Sequence, residues 1–324
     1  MKRKQIVIGL VYSIVYCLIL ANPLTLLSTS FPVTNTSDTG PGSLRNAMNS
    51  ANNNPGVDTI TFNVLPKEKP LTIHPLSQLP TLLDSSGVLI DGFSQGGVPG
   101  SNPPASAMLL VELNGSEAGA SHGICISSPN NTIQGMVIDS FQQDGIRIEG
   151  TPDTTCNNYI YCNFIGTNIG GYTSCGNGWN KLEPWAGINI VICPGDTSFT
   201  HSNIIEGNIS SGNYAEGVSI SNCPPGDNHS NLIIKNHLGT DIMGLSPLGN
   251  LNNGVYVGEG THHNIIDSNL ISDNRTEGIC IIGLVDEIND IFCYIYCFIC
   301  SFKDFTNLYL CFIVRTNYWN LHKF

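Results

Sequence analysis

A short phrase recurs six times along the chain: a polar or small residue, a glycine, then two apolar residues flanking a variable one. The copies are His122-Gly123-Ile124-Cys125-Ile126, Asp144-Gly145-Ile146-Arg147-Ile148, Ala186-Gly187-Ile188-Asn189-Ile190, Glu216-Gly217-Val218-Ser219-Ile220, Asn253-Gly254-Val255-Tyr256-Val257 and Glu277-Gly278-Ile279-Cys280-Ile281. Their glycines lie 22, 42, 30, 37 and 24 residues apart, which describes a unit of 22 to 24 residues with loops inserted in some copies. Self-similarity at such a period means stacked units that share one core. Period-two alternation with β-branched residues predicts strands, and glycine at the corner supplies a backbone that other residues resist.

A second phrase falls between these strands, Asn-x-Ile followed three residues later by Asn. It appears as Asn158-Ile160-Asn163, Asn203-Ile205-Asn208, Asn231-Ile233-Asn236 and Asn264-Ile266-Asn269, with Asn131-Ile133-Met136 as a variant. Strands this short and frequent leave no room for helical crossovers. They are expected to stack as a parallel β-solenoid with coils about 4.8 Å apart. Ile124, Ile146, Ile188, Val218, Val255 and Ile279 then line one interior column, with Ile126, Ile148, Ile190, Ile220, Val257 and Ile281 beside it. The asparagines are expected to form an amide ladder at the bends. Cys125, Arg147, Asn189, Ser219, Tyr256 and Cys280 are expected to point outward, and Asp144, Glu216 and Glu277 to be solvated edge charges.

Charge narrows the partners. The chain carries -12 overall, the first 30 residues +3 and the last 41 net -1, so residues 31–283 hold -14. A body this acidic offers little to a phosphate backbone, and nucleic acid is not an expected partner. Neutral polar ligands or divalent cations suit it better.

The ends differ from the body. Lys2-Arg3-Lys4 before the apolar run Ile6 to Leu20 has the form of a secretory signal over residues 1–30, with an uncleaved membrane anchor as the alternative. Either places the body outside the cytosol, secreted or at the cell surface. Residues 284–324 are aromatic and cysteine-rich, foreign to what precedes them, and read as an effect of truncation or of a sequence error, with an anchor or cap as the alternative. Cys293, Cys297 and Cys300 have no fourth ligand at a zinc-site spacing. The seven body cysteines are scattered and odd in number, which is not a disulfide framework. Six Asn-x-Ser/Thr triplets, at Asn35, Asn114, Asn130, Asn208, Asn228 and Asn274, are candidate glycan acceptors.

Residues 31–110 read as a cap and first coils, ahead of the repeats at 111–283. Ser43 is placed to cap a short helix with Leu44, Ala47, Met48 and Ala51 on one face, ended by Asn52-Asn53-Asn54-Pro55-Gly56. The run Val33-Thr34-Asn35-Thr36-Ser37-Asp38-Thr39-Gly40-Pro41-Gly42-Ser43-Leu44-Arg45, with Asp58-Thr59-Ile60-Thr61-Phe62 and Leu89-Ile90-Asp91-Gly92-Phe93-Ser94-Gln95, resembles the amino-terminal segment of secreted parallel β-helix repeat proteins of the pectate-lyase-like superfamily, many of them bacterial surface proteins. Asn163-Phe164-Ile165-Gly166-Thr167-Asn168 and His237-Leu238-Gly239-Thr240-Asp241 are similar to that family's inserted loops. The resemblance implies an all-β, right-handed parallel β-helix with an amino-terminal helical cap. The chain is expected to be monomeric.

Members of that superfamily include pectin lyases and polygalacturonases with sites on the outward strand face. If this chain is an enzyme, the candidate catalytic residues are Asp139, Asp144 and Glu149 as a carboxyl source, with Arg147 among them. The chain departs from the polygalacturonase pattern: His122 precedes a single glycine, and Arg147-Ile148 leads to Glu149 rather than lysine. Asp144, Glu216 and Glu277 come from coils two apart and cannot share one ion, so no cofactor is expected, with Ca²⁺ left open. The favoured reading is a non-catalytic scaffold that binds a polysaccharide or surface glycan, its face formed by Asn189, Glu216, Ser219 and Tyr256; Trp185 is expected to be a packing residue, with stacking on a sugar ring as the alternative. Cleavage by a lyase or hydrolase is the alternative.

Overall fold

In the computed structural model, residues 28–100, 106–180, 185–193, 195, 197–282, 290–292 and 312–315 are described. The signal or anchor segment lies outside them except for its last residues, as do Cys17, Cys293, Cys297, Cys300 and Cys311 and most of the tail. Among the described residues no helix is long and apolar enough to cross a membrane.

The fold is all-β and its sheets are parallel throughout. Among the described residues the strands form sheets of nine, seven, seven and four strands, here sheets 1 to 4. The chain visits them in the same order on each pass. For example, Tyr159–Tyr161 lies in sheet 1, Phe164–Ile165 in sheet 2, Ala186–Val191 in sheet 3 and Phe199–His201 in sheet 4, before Ile204–Glu206 begins the next coil in sheet 1. Residues 290–292 and 312–315 pair in parallel with the preceding strands of sheets 1 and 3.

Register follows the repeat. Ile146, Ile188, Val218, Val255 and Ile279 succeed one another in sheet 3 beneath Ile124. Both expected interior columns are buried except at Ile281, which is half-buried at the last fully described coil.

The asparagines do what strand spacing requires of them. In one ladder the Asn131 backbone N–H and side-chain amide both donate to Asn158 Oδ1, and the pattern passes through Asn203 and Asn231 to Asn264. A second ladder runs Asn163, Asn208, Asn236, Asn269. A third was not anticipated: Asn177, Asn213, Asn250, Asn274. Its sequence mark is the pair Gly-Asn at 176, 212 and 249. At each bend the backbone leaves the sheet, and these amides satisfy groups that burial would otherwise orphan. Asn208 and Asn228 are fully buried, so these two Asn-x-Ser triplets are closed to glycosylation in the folded chain.

Helix α1, Leu44–Asn52, is capped by Ser43, whose Oγ accepts the Asn46 N–H at 3.2 Å. Its buried residues, Leu44, Ala47, Met48 and Ala51, join the main core and close its first end. A second, smaller core of Leu109, Val137, Phe164, Ile209 and Ile242 lies on the outer face of sheet 2, with Ile169 packed against it. Two inserted loops supply Ile169 and Ile242, and the Ile242 N–H donates to Gly171 O at 2.9 Å.

Candidate functional site

The outward face of sheet 3 gathers most of the expected site residues, but they are less open than the alternation predicts. Asn189 and Ser219 are buried, as is Cys125; Arg147, Tyr256 and Cys280 are half-buried. Neighbours in a ladder stand about 4.8 Å apart. A short Cys, Asn or Ser is therefore shadowed by a long Arg147 or Tyr256 on the adjoining coil.

The expectation of solvated edge charges is also corrected at Asp144 and Glu216. Asp144 is fully buried. Register sets its coil beside Ala186, whose N–H donates to Asp144 Oδ1 at 2.6 Å. The Asn189 amide adds contacts of 3.3 Å to both oxygens. Arg147 Nη1 lies 3.3 Å and His122 Nδ1 3.2 Å from Oδ2. The same His122 Nδ1 lies 3.1 Å from the Asp144 backbone N. Glu277 alone of the three keeps partial exposure at the edge with no buried partner set around it.

Arg147 ties this carboxylate to a second one. Its Nε reaches Glu149 Oε2 at 3.4 Å and its Nη2 reaches Cys193 Sγ at 3.2 Å, while the Cys193 thiol donates to Glu149 Oε1 at 2.8 Å. Burial alone would raise the Glu149 carboxyl, but the Cys193 thiol and the Arg147 guanidinium outweigh it and hold it below the usual range. Burial, with Glu149 adding, pushes the Cys193 thiol up to about 11, and burial pushes Cys125 up to about 12. Neither is an activated nucleophile.

Glu216 lies on the other side of Ala186 in the same edge column. Burial raises its carboxyl above the usual range; amides of Asn252 and Asn253 hold Oε1, and nearby Asp144 adds to the rise. Glu216 Oε2, Asn189 Oδ1 and Trp185 Nε1 are buried without a hydrogen-bond partner. The Trp185 ring meets His122 edge-on at 5.3 Å, in the packing role expected of it.

Asp139 does not join this group. It ends a strand of sheet 2, in register with Asn114, whose amide donates to its Oδ1 at 2.7 Å. Burial first, then the facing carboxyl of Glu112, pushes it up to about 7. The sign follows: the folded chain binds this proton more tightly than the unfolded one, so the contribution to stability is full below about pH 4 and is lost as pH rises through 7. Asp139→Asn is expected to flatten that slope, gaining on the order of 2 kcal/mol relative to wild type between pH 5 and 8. Parallel pH profiles of urea unfolding for the two proteins would refute the assignment.

Open aromatic rings lie elsewhere. Trp179 and Tyr214 are 43% and 44% exposed, at the turns that feed strands Ala186–Val191 and Glu216–Ser221 of sheet 3. Trp179 Nε1 donates to Ser140 O at 3.3 Å, and Tyr214 packs over Gly176, which fixes both rings at the rim. Each follows a rung of the third ladder, Asn177 or Asn213, so the Gly-Asn pairs were the signal that marked them. On sheet 1, Tyr159, Ile204, Leu232 and Ile265 make an outward apolar row. Among the described residues no group of three or more His, Cys, Asp or Glu is arranged to hold a metal ion, and all seven body cysteines are free.

No family model matches the chain, and no curated protein matches it. Among solved structures it is similar to Geobacillus virus E2 ORF18, at 12% identity and a TM-score of 0.37, over 82% of this chain. The chain spans 57% of that protein's length. A likeness this loose bears on neither fold nor function.

Proposed function

We propose that the chain is a non-catalytic, secreted or surface-held scaffold that binds a neutral glycan along the rim of sheet 3, and that its coils form the right-handed parallel β-helix of the pectate-lyase-like superfamily. The right hand rests on the strong preference for right-handed crossovers between parallel strands and on the resemblance of the amino-terminal segment. Export rests on the basic and apolar character of residues 1–30.

One contrast carries the functional reading. The carboxylates that cleavage would use are enclosed or committed: Asp144 has no exposed surface, and both oxygens of Glu149 are engaged by Arg147 and Cys193. The rings that a sugar face would stack on, Trp179 and Tyr214, stand open at the edge of the same sheet. General acid catalysis needs a carboxyl within hydrogen-bond reach of the glycosidic oxygen. Binding needs only the rings and nearby polar groups. The -14 of the body disfavours polyuronates and favours neutral chains.

The test is retention on a panel of neutral and acidic polysaccharides, with and without Ca²⁺, while released sugar ends are assayed. Retention on a neutral polymer without product is expected, and the double variant Trp179→Ala/Tyr214→Ala should bind about tenfold more weakly, roughly 1.4 kcal/mol. Product release abolished by Asp144→Asn or Arg147→Ala would overturn the proposal in favour of cleavage.

A further inference from the structure

Sheet 4 places Cys156, His201, His229 and His262 at matching positions of successive coils. The three imidazoles stack with centroids 5.0 Å apart, at 11° between His201 and His229 and 8° between His229 and His262. Each Nδ1 turns to the following residue: Ser202 Oγ at 3.0 Å, Ser230 Oγ at 2.9 Å and His263 Nδ1 at 2.6 Å. Those following residues share one left-handed backbone, with φ of 55°, 55° and 54°. The same bend therefore aims the ring in every coil.

Asp227 faces the other edge of the column. Its Oδ1 lies 2.9 Å from His262 Nε2 and its Oδ2 4.0 Å from His229 Nε2. A metal does not explain the arrangement. Two ring nitrogens on one ion are at most about 4.2 Å apart, given metal–nitrogen bonds of about 2.1 Å. Stacked rings with the same in-plane orientation hold matching nitrogens at the ring separation, 5.0 Å.

Charge is what such a stack responds to. The groups facing His229 are Asp227 from its own strand, His201 from the strand before and His262 and His263 from the strand after. One carboxylate faces four imidazoles, so it can offset only one of them once they are protonated. Burial, together with these neighbouring imidazoles, already holds His229 below the ordinary imidazole range against the pull of Asp227.

We propose that the stacked column His201, His229 and His262 is an acid-released fastener of sheet 4, closed while its rings are neutral and opened by their mutual repulsion when they are charged. The sign agrees with linkage. The folded chain binds the His229 proton less tightly than the unfolded chain, so the stabilisation is complete above about pH 6.5 and is lost as pH falls through the lowered folded value. Sheets 1 to 3 enclose the main core and, among the described residues, carry no such column, so the loosening is local. It stands independently of the glycan reading.

The test is amide hydrogen exchange on the full chain, as protection factors corrected for intrinsic pH dependence, with NMR titration of the ring protons. Protection at 199–201, 227–229 and 261–262 should fall at least tenfold between pH 7.5 and 5, while sheet 3 keeps its protection. The His229 ring should titrate below pH 6.5 and more gradually than an isolated group. His229→Gln should reduce the pH response, and Asp227→Asn, which removes the carboxylate that offsets the imidazoles, should deepen it and move the ring titration to lower pH. Rings that titrate independently near 6.5, or an undiminished loss of protection in His229→Gln, would overturn the proposal. The wild-type titration decides the matter even if a variant fails to fold.

Discussion

Asn208→Ala is expected to lower the free energy of unfolding by roughly 3 to 6 kcal/mol. The side chain is fully buried at the centre of the second ladder. Its Oδ1 accepts from the Asn163 backbone N–H at 2.9 Å and from the Asn163 amide at 3.1 Å, and its Nδ2 donates to Ile160 O at 2.8 Å. Alanine removes these three bonds where water does not reach, at about 1 to 3 kcal/mol each, the Asn163 amide keeping Ile133 O at 2.9 Å. Against a typical domain stability of about 5 to 15 kcal/mol that is a large fraction. Asn49→Ala is the control: Asn49 is exposed on α1, where alanine is the better helix former, and its effect should stay within about 0.5 kcal/mol. Chemical denaturation measures both, and similar midpoints for the two variants would show that the ladder is ornamental to stability.

Gly239→Ala should be nearly as damaging, by about 2 to 5 kcal/mol. Gly239 has φ +98°, and a Cβ there would fall on the Ser272 carbonyl oxygen and 2.7 Å from Asn274 Oδ1. The left-handed backbone costs an ordinary residue about 1 to 2 kcal/mol, and forcing the neighbours apart costs a further 1 to 3. Asn274 is a rung of the third ladder, so the displacement reaches Asn250. Gly119 separates the two effects: its φ is +68° with nothing within 4 Å of a Cβ, so Gly119→Ala should show the backbone part alone, about 1 kcal/mol. Equal thermal shifts for the two alanine variants would remove the steric half of the argument.

The columns of Ile and Val, the first two Asn ladders and the Ser43 cap were legible because each depends on spacing within one coil. The site was less so. Asp139 and Asp144 look like partners five residues apart, yet the buried corner at Phe141 carries the chain from sheet 2 to sheet 3 between them. The burial of Asp144 depends on Ala186, 42 residues later across an inserted loop, where a small side chain lets Asn189 and Arg147 close in. No local pattern encodes that. The histidine column was within reach: His201, His229 and His262 each precede a rung of the first ladder by two residues, and extending the Asn register backwards would have aligned them.

The ladders also have a direction. In all three the earlier coil donates, through backbone N–H and amide alike, and the later coil accepts. Each finished turn thus presents a row of donors as a template for the turn synthesised after it, while the side facing the amino terminus presents acceptors. Two such stacks joined end to end can continue the pattern only head to tail, because meeting at like ends sets donor against donor.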